Sequence, residues 1–306
     1  MNIAKKKIAK KKSAFDRVFD GVNGLILGLF VALCLYPFYY VFINAISNPA
    51  LAARGVSITF YPMEITLRNF VEVFKAPGLA NAASTSLART LAGTLLTVAC
   101  SSFFGYLMNR KDMYFRRTMY RLLVVTMYFS PGLIPVYLVI RTYGMLNTFW
   151  VYLLPYALSA YYVVLCKTFI EQMPPSLEES AMLDGAGTMR IFVRIIFPLS
   201  MPIIATIAVF AAVAQWNSWF DNYVFVPSNK DIKTLQLILR ELLMQAEQIA
   251  NRAKTGALGM GDSANEITPM AIRMTVTTVV TLPILFVYPF MQRFFIKGIM
   301  LGAIKG

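Results

Sequence analysis

Between Gly21 and Ala53 the chain carries no charged side chain. About 20 consecutive apolar residues let a helix cross the hydrocarbon core of a bilayer. Backbone N–H and C=O groups in lipid must find partners inside the protein, so this run is read as a membrane-spanning helix. Six lysines between Lys5 and Lys12 precede it, as in the basic head of a signal peptide. The run lacks a small-residue cleavage site and exceeds a signal-peptide core in length, so the helix is expected to be retained.

Further apolar windows bring the expected spans to six: Val22–Ser47, Ser84–Asn109, Thr118–Ile140, Thr148–Ile170, Leu199–Phe220 and Met270–Gln292. A composition of 58% hydrophobic and 14% charged residues departs from that of soluble domains. The expected fold class is an all-α membrane protein with six transmembrane helices. Lys- and Arg-rich flanks resist translocation and so set the orientation. With the N-terminus inside, 18 of the 29 basic residues fall in inner segments or, as Arg121 and Lys167 do, at the inner ends of spans, and 9 fall in outer segments, while Arg89 and Arg273 sit within spans. Both termini are therefore expected in the cytoplasm. The formal charge of +14 is mostly this topology signal. The lysine tail abuts a span, which favours membrane lipid over nucleic acid as its contact. The expected organisation is a basic cytoplasmic tail (1–21), a first span with its outer loop (22–83), a core of five spans (84–292) and a cytoplasmic tail (293–306). The core includes a cytoplasmic loop (171–198) and an outer segment (221–268).

Cys34, Cys100 and Cys166 all lie in apolar spans and read as small buried hydrophobes. The absence of histidine removes histidine metal ligands and the commonest general base. Nearly all carboxylates lie in loops, so no catalytic set and no metal site is identified. Thr97, Ser101 and Gly105 form a small-residue face for close helix packing, and Gly24 and Gly28 form a weaker one. Ser130, Pro131, Gly132 and Pro135 break the third span beside Tyr128, Phe129 and Tyr137. The break is either a structural kink or a stretch of a lined pathway. In the outer segment, Leu235, Ile238, Leu239, Leu242, Ala246 and Ile249 make a helical stripe expected to pack on the bundle. Thr268 and Pro269 suit a helix start.

A polar, glycine-punctuated loop joins the fourth and fifth spans. Pro174 and Pro175 stop the preceding helix, Ser176 and Glu179 fit a capping box, and Gly185 and Gly187 allow a left-handed C-cap. A short helix over Ser176–Asp184 is predicted, with Ser180 and Ala181 on its surface where a partner's backbone can approach. Thr188 is expected to cap the next helix. Arg190 and Arg194 lie one turn apart on it, as do Ile191 and Ile195. Pro198 and Pro202 mark the start of the fifth span.

The register Glu179-Ser180-Ala181, three residues, Gly185, nine residues, Ile195-x-Phe197-Pro198 resembles the EAA loop of ABC-importer permeases. It departs from the family pattern at Ser180 and Phe197, where the family has alanine and leucine. Stretches 128–135, 146–150, 215–220, 234–240 and 297–306 extend the resemblance over nearly the whole chain. They look like the carbohydrate-uptake, maltose-type permeases, and most like the subgroup of lipoprotein and polysaccharide permeases. The resemblance implies a type I importer permease (MetI-like) fold in a prokaryotic cytoplasmic membrane. It also implies a second homologous permease subunit, two ATPase subunits, an extracytoplasmic solute-binding protein and an oligosaccharide substrate. Its ATPase-coupling residues would be Glu178, Glu179, Ser180, Ala181, Asp184, Gly185, Ala186 and Gly187. ATP and Mg would sit on the partner, because this chain has no Gly-x4-Gly-Lys-[Ser/Thr] phosphate loop. Gly298 to Gly302 is the nearest imitation and lacks the lysine.

Sugar pathways combine aromatic faces with a few polar groups. Gln215, Trp216, Asn217, Trp219 and Asp221 offer that mixture near the outer end of the fifth span, with Tyr128, Asn44 and Arg89 as further candidates. Gln215 and Asn217 must face the bundle interior if they lie at membrane depth. The tryptophans serve equally well as an interfacial belt. The alternative function is an ion-gradient-driven secondary transporter, which needs an internal repeat and mid-membrane ionisable groups. Only Arg89 and Arg273 qualify, and both are expected near span ends.

Overall fold

A computed structural model describes residues 13–49, 60–254 and 269–303. Every regular element among the described residues is helical. In chain order these are α1 (Ala14–Ala45), α2 (Arg68–Phe74), α3 (Leu79–Asn109), α4 (Arg116–Tyr128), α5 (Leu133–Thr142) and two single 3-10 turns (Phe149–Tyr152 and Leu154–Tyr156). There follow α6 (Ala160–Ile170), α7 (Ser176–Leu183), α8 (Thr188–Leu199), α9 (Met201–Asn217), α10 (Phe220–Phe225), a further 3-10 turn (Lys230–Ile232), α11 (Leu235–Lys254) and α12 (Pro269–Ala303).

The long helix α3 is the axis of the bundle, with α6 and α9 packed along it. Small residues allow the close approach to α6. A Cβ added at Gly105 would lie 2.6 Å from the Cys166 Cβ and 3.1 Å from the Val163 carbonyl. Thr97 and Ser101 are buried on the same helix, and the Thr97 hydroxyl donates to the Tyr156 carbonyl at 2.9 Å. Gly24 and Gly28 play no such role, since a Cβ there meets nothing within 4 Å. Helix α1 stands off the bundle, touching mainly α12, and its apolar window is only 6% buried. Its outward leucines and phenylalanines suit hydrocarbon, which is as apolar as they are. Cys34 on α1 is consequently exposed and Cys100 half-buried; only Cys166 is the buried hydrophobe expected of all three.

Among the described residues, three helices are long and apolar enough to cross a membrane: Phe15–Ala45, Leu79–Asn109 and Pro269–Phe286. Two bent pairs raise this to five if each is one span. Phe149–Tyr156 with Ala160–Ile170 bends by 45°, and Thr188–Leu199 with Met201–Asn217 bends by 83°. The first bend falls at residues 157–159, just after Pro155, and the second between Pro198 and Pro202. The third expected span is divided into α4 and α5 by residues 129–132, as Pro131 and Gly132 suggest. Pro135 does not contribute to that break, because it lies in the first turn of α5, where no helical N–H bond is required.

The stripe on α11 packs on the bundle as expected except at Ile249, which is exposed. Leu235, Ile238 and Leu239 are buried with Val73, Leu79, Ala82 and Val276 from α2, α3 and α12. Pro269 opens α12 as expected, while Thr268, the glycine-rich stretch 256–261 and the lysine tail lie outside the described residues.

Candidate functional site

Helix α7 is set up by its two prolines. The Pro175 carbonyl accepts from the N–H groups of both Glu178 and Glu179 at 3.1 Å, and the Pro174 carbonyl accepts from Leu177 at 3.3 Å. The turn thus begins on the prolines, and Ser176 is already helical. The expected capping box of Ser176 and Glu179 does not form, because an N-cap side chain needs an extended backbone at that position. At the other end Gly185 has φ +75°. Its N–H donates to Met182, and the Ala186 N–H donates back to Ala181, each at 3.0 Å. That pair of bonds is the left-handed cap expected of Gly185. Gly187 has φ −70° and is itself the N-cap position of α8, so Thr188 lies inside that helix and does not cap it.

Ala181 points inward, contrary to its expected surface position. It is 8% exposed and packs with Tyr106, Ile170, Ile191, Phe192 and Ile196. Successive helical side chains turn by about 100°, so Leu183, two residues on, faces the opposite side. Leu183 is 90% exposed, and Glu179, Ser180, Asp184 and Met189 are exposed around it. The outer face of α7 is therefore an apolar tip flanked by two carboxylates, Glu179 and Asp184. Glu178 does not share that face. Its Oε1 accepts from the Tyr106 hydroxyl at 2.8 Å and lies 4.0 Å from the Arg110 Nε. Arg110 Nη1 also donates to the Thr188 hydroxyl at 2.6 Å, and its guanidinium pairs with Asp112. That bond holds the Asp112 carboxyl below the usual carboxylate range and raises the guanidinium above its own ordinary value. Tyr106 and Arg110 were missed from sequence. Their only signal is a phenol and a cation one turn apart at the end of a span.

A second polar cluster lies in the same helix, at Arg89. Arg89 is the eleventh residue of α3 and is 1% exposed. Its guanidinium forms a two-pronged ion pair with Asp221, which is 2% exposed, and its Nε donates to the Gln215 Oε1 at 2.7 Å. The Tyr152 ring lies under it with 4.7 Å between guanidinium carbon and centroid. The Tyr152 hydroxyl accepts from Asn222, whose Oδ1 in turn accepts the Thr234 N–H at 2.9 Å. The buried charges are thus paired and their lone pairs largely satisfied, as burial in low dielectric requires. Beside Arg89 opens a cavity of about 460 Å³, lined among others by Thr97, Tyr156, Ser159, Tyr162 and Gln215.

The structure divides the expected pathway residues. Gln215 reaches the cavity, and Asp221 sits behind it on Arg89. The Trp216 indole N–H donates to the Val280 carbonyl at 3.3 Å, against α12. Trp219 lies under Arg240, 3.7 Å from guanidinium carbon to ring centroid. Asn217 is exposed and accepts from Gln236 at 3.5 Å. Tyr128 is exposed at the end of α4, and the Asn44 amide donates to Tyr40 within α1.

A helical bundle with a broken, membrane-compatible core and a short helix braced at one end is the build of a membrane permease subunit. The chain belongs to the family of binding-protein-dependent transport system inner membrane components, which matches residues 4–301. It is 34% identical over 292 residues to protein LplC of Bacillus subtilis, covering 95% of this chain and 96% of that protein. It is also 34% identical over 294 residues to the polygalacturonan/rhamnogalacturonan transport system permease protein YtcP of the same organism, covering 95% and 99%. Among solved structures, it is similar to a chain of a bacterial ABC transporter involved in the import of the acidic polysaccharide alginate. The TM-score is 0.79 at 25% identity, with 93% of this chain and 99% of that one covered. The family is one of transport components in the inner membrane, not of enzymes.

Proposed function

We propose that this chain is one of two permease subunits in an ATP-driven importer that carries an oligosaccharide or polysaccharide fragment across the cytoplasmic membrane. On this reading it has six spans and both termini inside. A solute-binding protein delivers the sugar from outside, and two ATPase subunits bind ATP and Mg at the inner face. Alternating access follows from closure of the ATPase pair, which pushes on α7. The observation that carries the proposal is the seating of α7. One face is fixed by Ala181 and Glu178, and the other presents Glu179, Leu183 and Asp184 to a partner. A rigidly seated short helix converts a push into displacement of its bundle, whereas a loose loop absorbs it. The sugar class is supported by the transport names of the relatives and by the aromatic and hydroxyl lining of the cavity.

The test is a mild-detergent pull-down of the tagged chain from its host, with mass spectrometry of the co-purified proteins. The expected result is an ATPase, a second permease and a solute-binding protein. Repeated recovery of the chain alone and monodisperse, with uptake that survives ATP depletion but not an uncoupler, would overturn the proposal in favour of an ion-driven transporter.

A further inference from the structure

We propose that α3 is the link that carries movement of α7 to the Arg89–Asp221 pair, and that Glu178 grips α3 and not the ATPase. The inference rests on the coupling role proposed above for α7. Two routes run from α7 to the Arg89–Asp221 pair; α6, which also meets the cavity through Tyr162, holds neither charge. The covalent route passes through α8 into α9. It crosses a π turn at Phe192–Ile196 and an 83° bend, both of which leave slack in the hydrogen-bond ladder. The other route crosses two side-chain joints into α3, which is one unbroken helix without proline.

The near joint is built for transmission. Tyr106 is fully buried, its ring stacks on Phe192 at 5.5 Å, and its hydroxyl donates to Glu178 at 2.8 Å. Arg110, one turn further, holds Thr188 at the start of α8. Together these residues fasten both sides of the loop to the same end of α3. Seventeen residues away, at 1.5 Å per residue, or about 26 Å along the same axis, Arg89 holds Asp221 of α10 and Gln215 of α9. Displacing the near end of α3 therefore displaces the one buried cation beside the cavity among the described residues, along with both its partners.

The test uses the assembled complex with its ATPase, in a C34S/C100S background that leaves only the buried Cys166, with an environment-sensitive fluorophore on Leu91→Cys. Leu91 is exposed on α3 and belongs to neither joint. Trapping the ATPase with Mg-ATP and vanadate is expected to shift the emission. Tyr106→Phe, which keeps the ring and removes only the hydroxyl, is expected to cut that shift about threefold or more with trapped nucleotide per complex unchanged. Glu178→Ala is expected to do the same, Glu178→Gln to keep most of the shift through its remaining oxygen acceptor, and the double variant Y106F/E178A to be no worse than either single. A full shift in Tyr106→Phe, no shift in the parent, or a loss merely proportional to lost trapping would overturn the link. Glu179→Lys separates this from the coupling proposal. If that variant still holds and traps the ATPase normally, the coupling role of α7 itself has failed. If it sheds the ATPase while Tyr106→Phe behaves as the parent, only the α3 link has failed.

Discussion

Gly105 and Gly185 are glycines for unrelated reasons, and their replacements should fail differently. Gly105 sits where α3 and α6 touch, and its hypothetical Cβ meets backbone atoms as well as Cys166. Backbone cannot rotate aside, so Gly105→Ala must push the two helices apart. Overpacking of that kind costs about 1–3 kcal/mol, and a lower thermal midpoint of the detergent-solubilised complex is the expected readout. Arg89 presents the opposite problem of a removed partner. Arg89→Ala leaves the Asp221 carboxylate buried and unpaired, a change that costs about 3–5 kcal/mol in known cases. Replacing both charges by amides, as R89Q/D221N, leaves no lone charge and should destabilise less than the single truncation. A double variant less stable than Arg89→Ala would mean that the pair's attraction outweighs the cost of burying it.

At the level of elements, α7 separates what local chemistry dictates from what packing decides. Its boundaries were legible because prolines and glycines act on their own backbone, whatever surrounds them. The end at Gly185 follows from φ +75°, a conformation that β-branched residues strongly resist. Gly185→Val should therefore unravel the last turn of α7. The expected outcome is a drop of about tenfold in co-purified ATPase with membrane insertion of the chain unchanged, read by quantitative blot of the pull-down. Ser176→Ala, in contrast, should change neither quantity, because the Pro174 and Pro175 carbonyls already start the helix and the serine caps nothing. A tenfold loss in Ser176→Ala would show that the hydroxyl serves the partner directly. What was not legible is which way the helix turns. Ala181 faces in and Leu183 out because Tyr106, Ile191 and Phe192 form a socket from two other helices. No window of sequence holds all three. The same holds for Arg89 and Asp221, 132 positions apart, and for the 83° bend, where two prolines announce a disturbance but not its angle.

On the scale of the whole molecule, hydropathy located the membrane-compatible segments because lipid tests every stretch of backbone alike. Phe15–Ala45, Leu79–Asn109 and Pro269–Phe286 each overlap an expected span. Orientation is a different quantity. It is written in the distribution of Lys and Arg among loops, and no internal contact records it. The seating of α7 depends on that orientation, since an ATPase can meet Leu183 only if the loop lies in the cytoplasm. The outer segment must then lie across the membrane, with Ser228 between α10 and α11 exposed there. Cysteines introduced one at a time at Leu183 and Ser228, in a C34S/C100S background that leaves only the buried Cys166, make this checkable with a membrane-impermeant thiol reagent on intact cells. In cells lacking the ATPase and the binding protein, which would cover these sites, Ser228→Cys is expected to react at once and Leu183→Cys only after permeabilisation. Because Leu183 is nearly fully exposed, its silence in intact cells would reflect the membrane and not burial within the chain. The reverse pattern would invert the topology, place α7 on the side without ATP, and remove the basis for coupling at a single stroke.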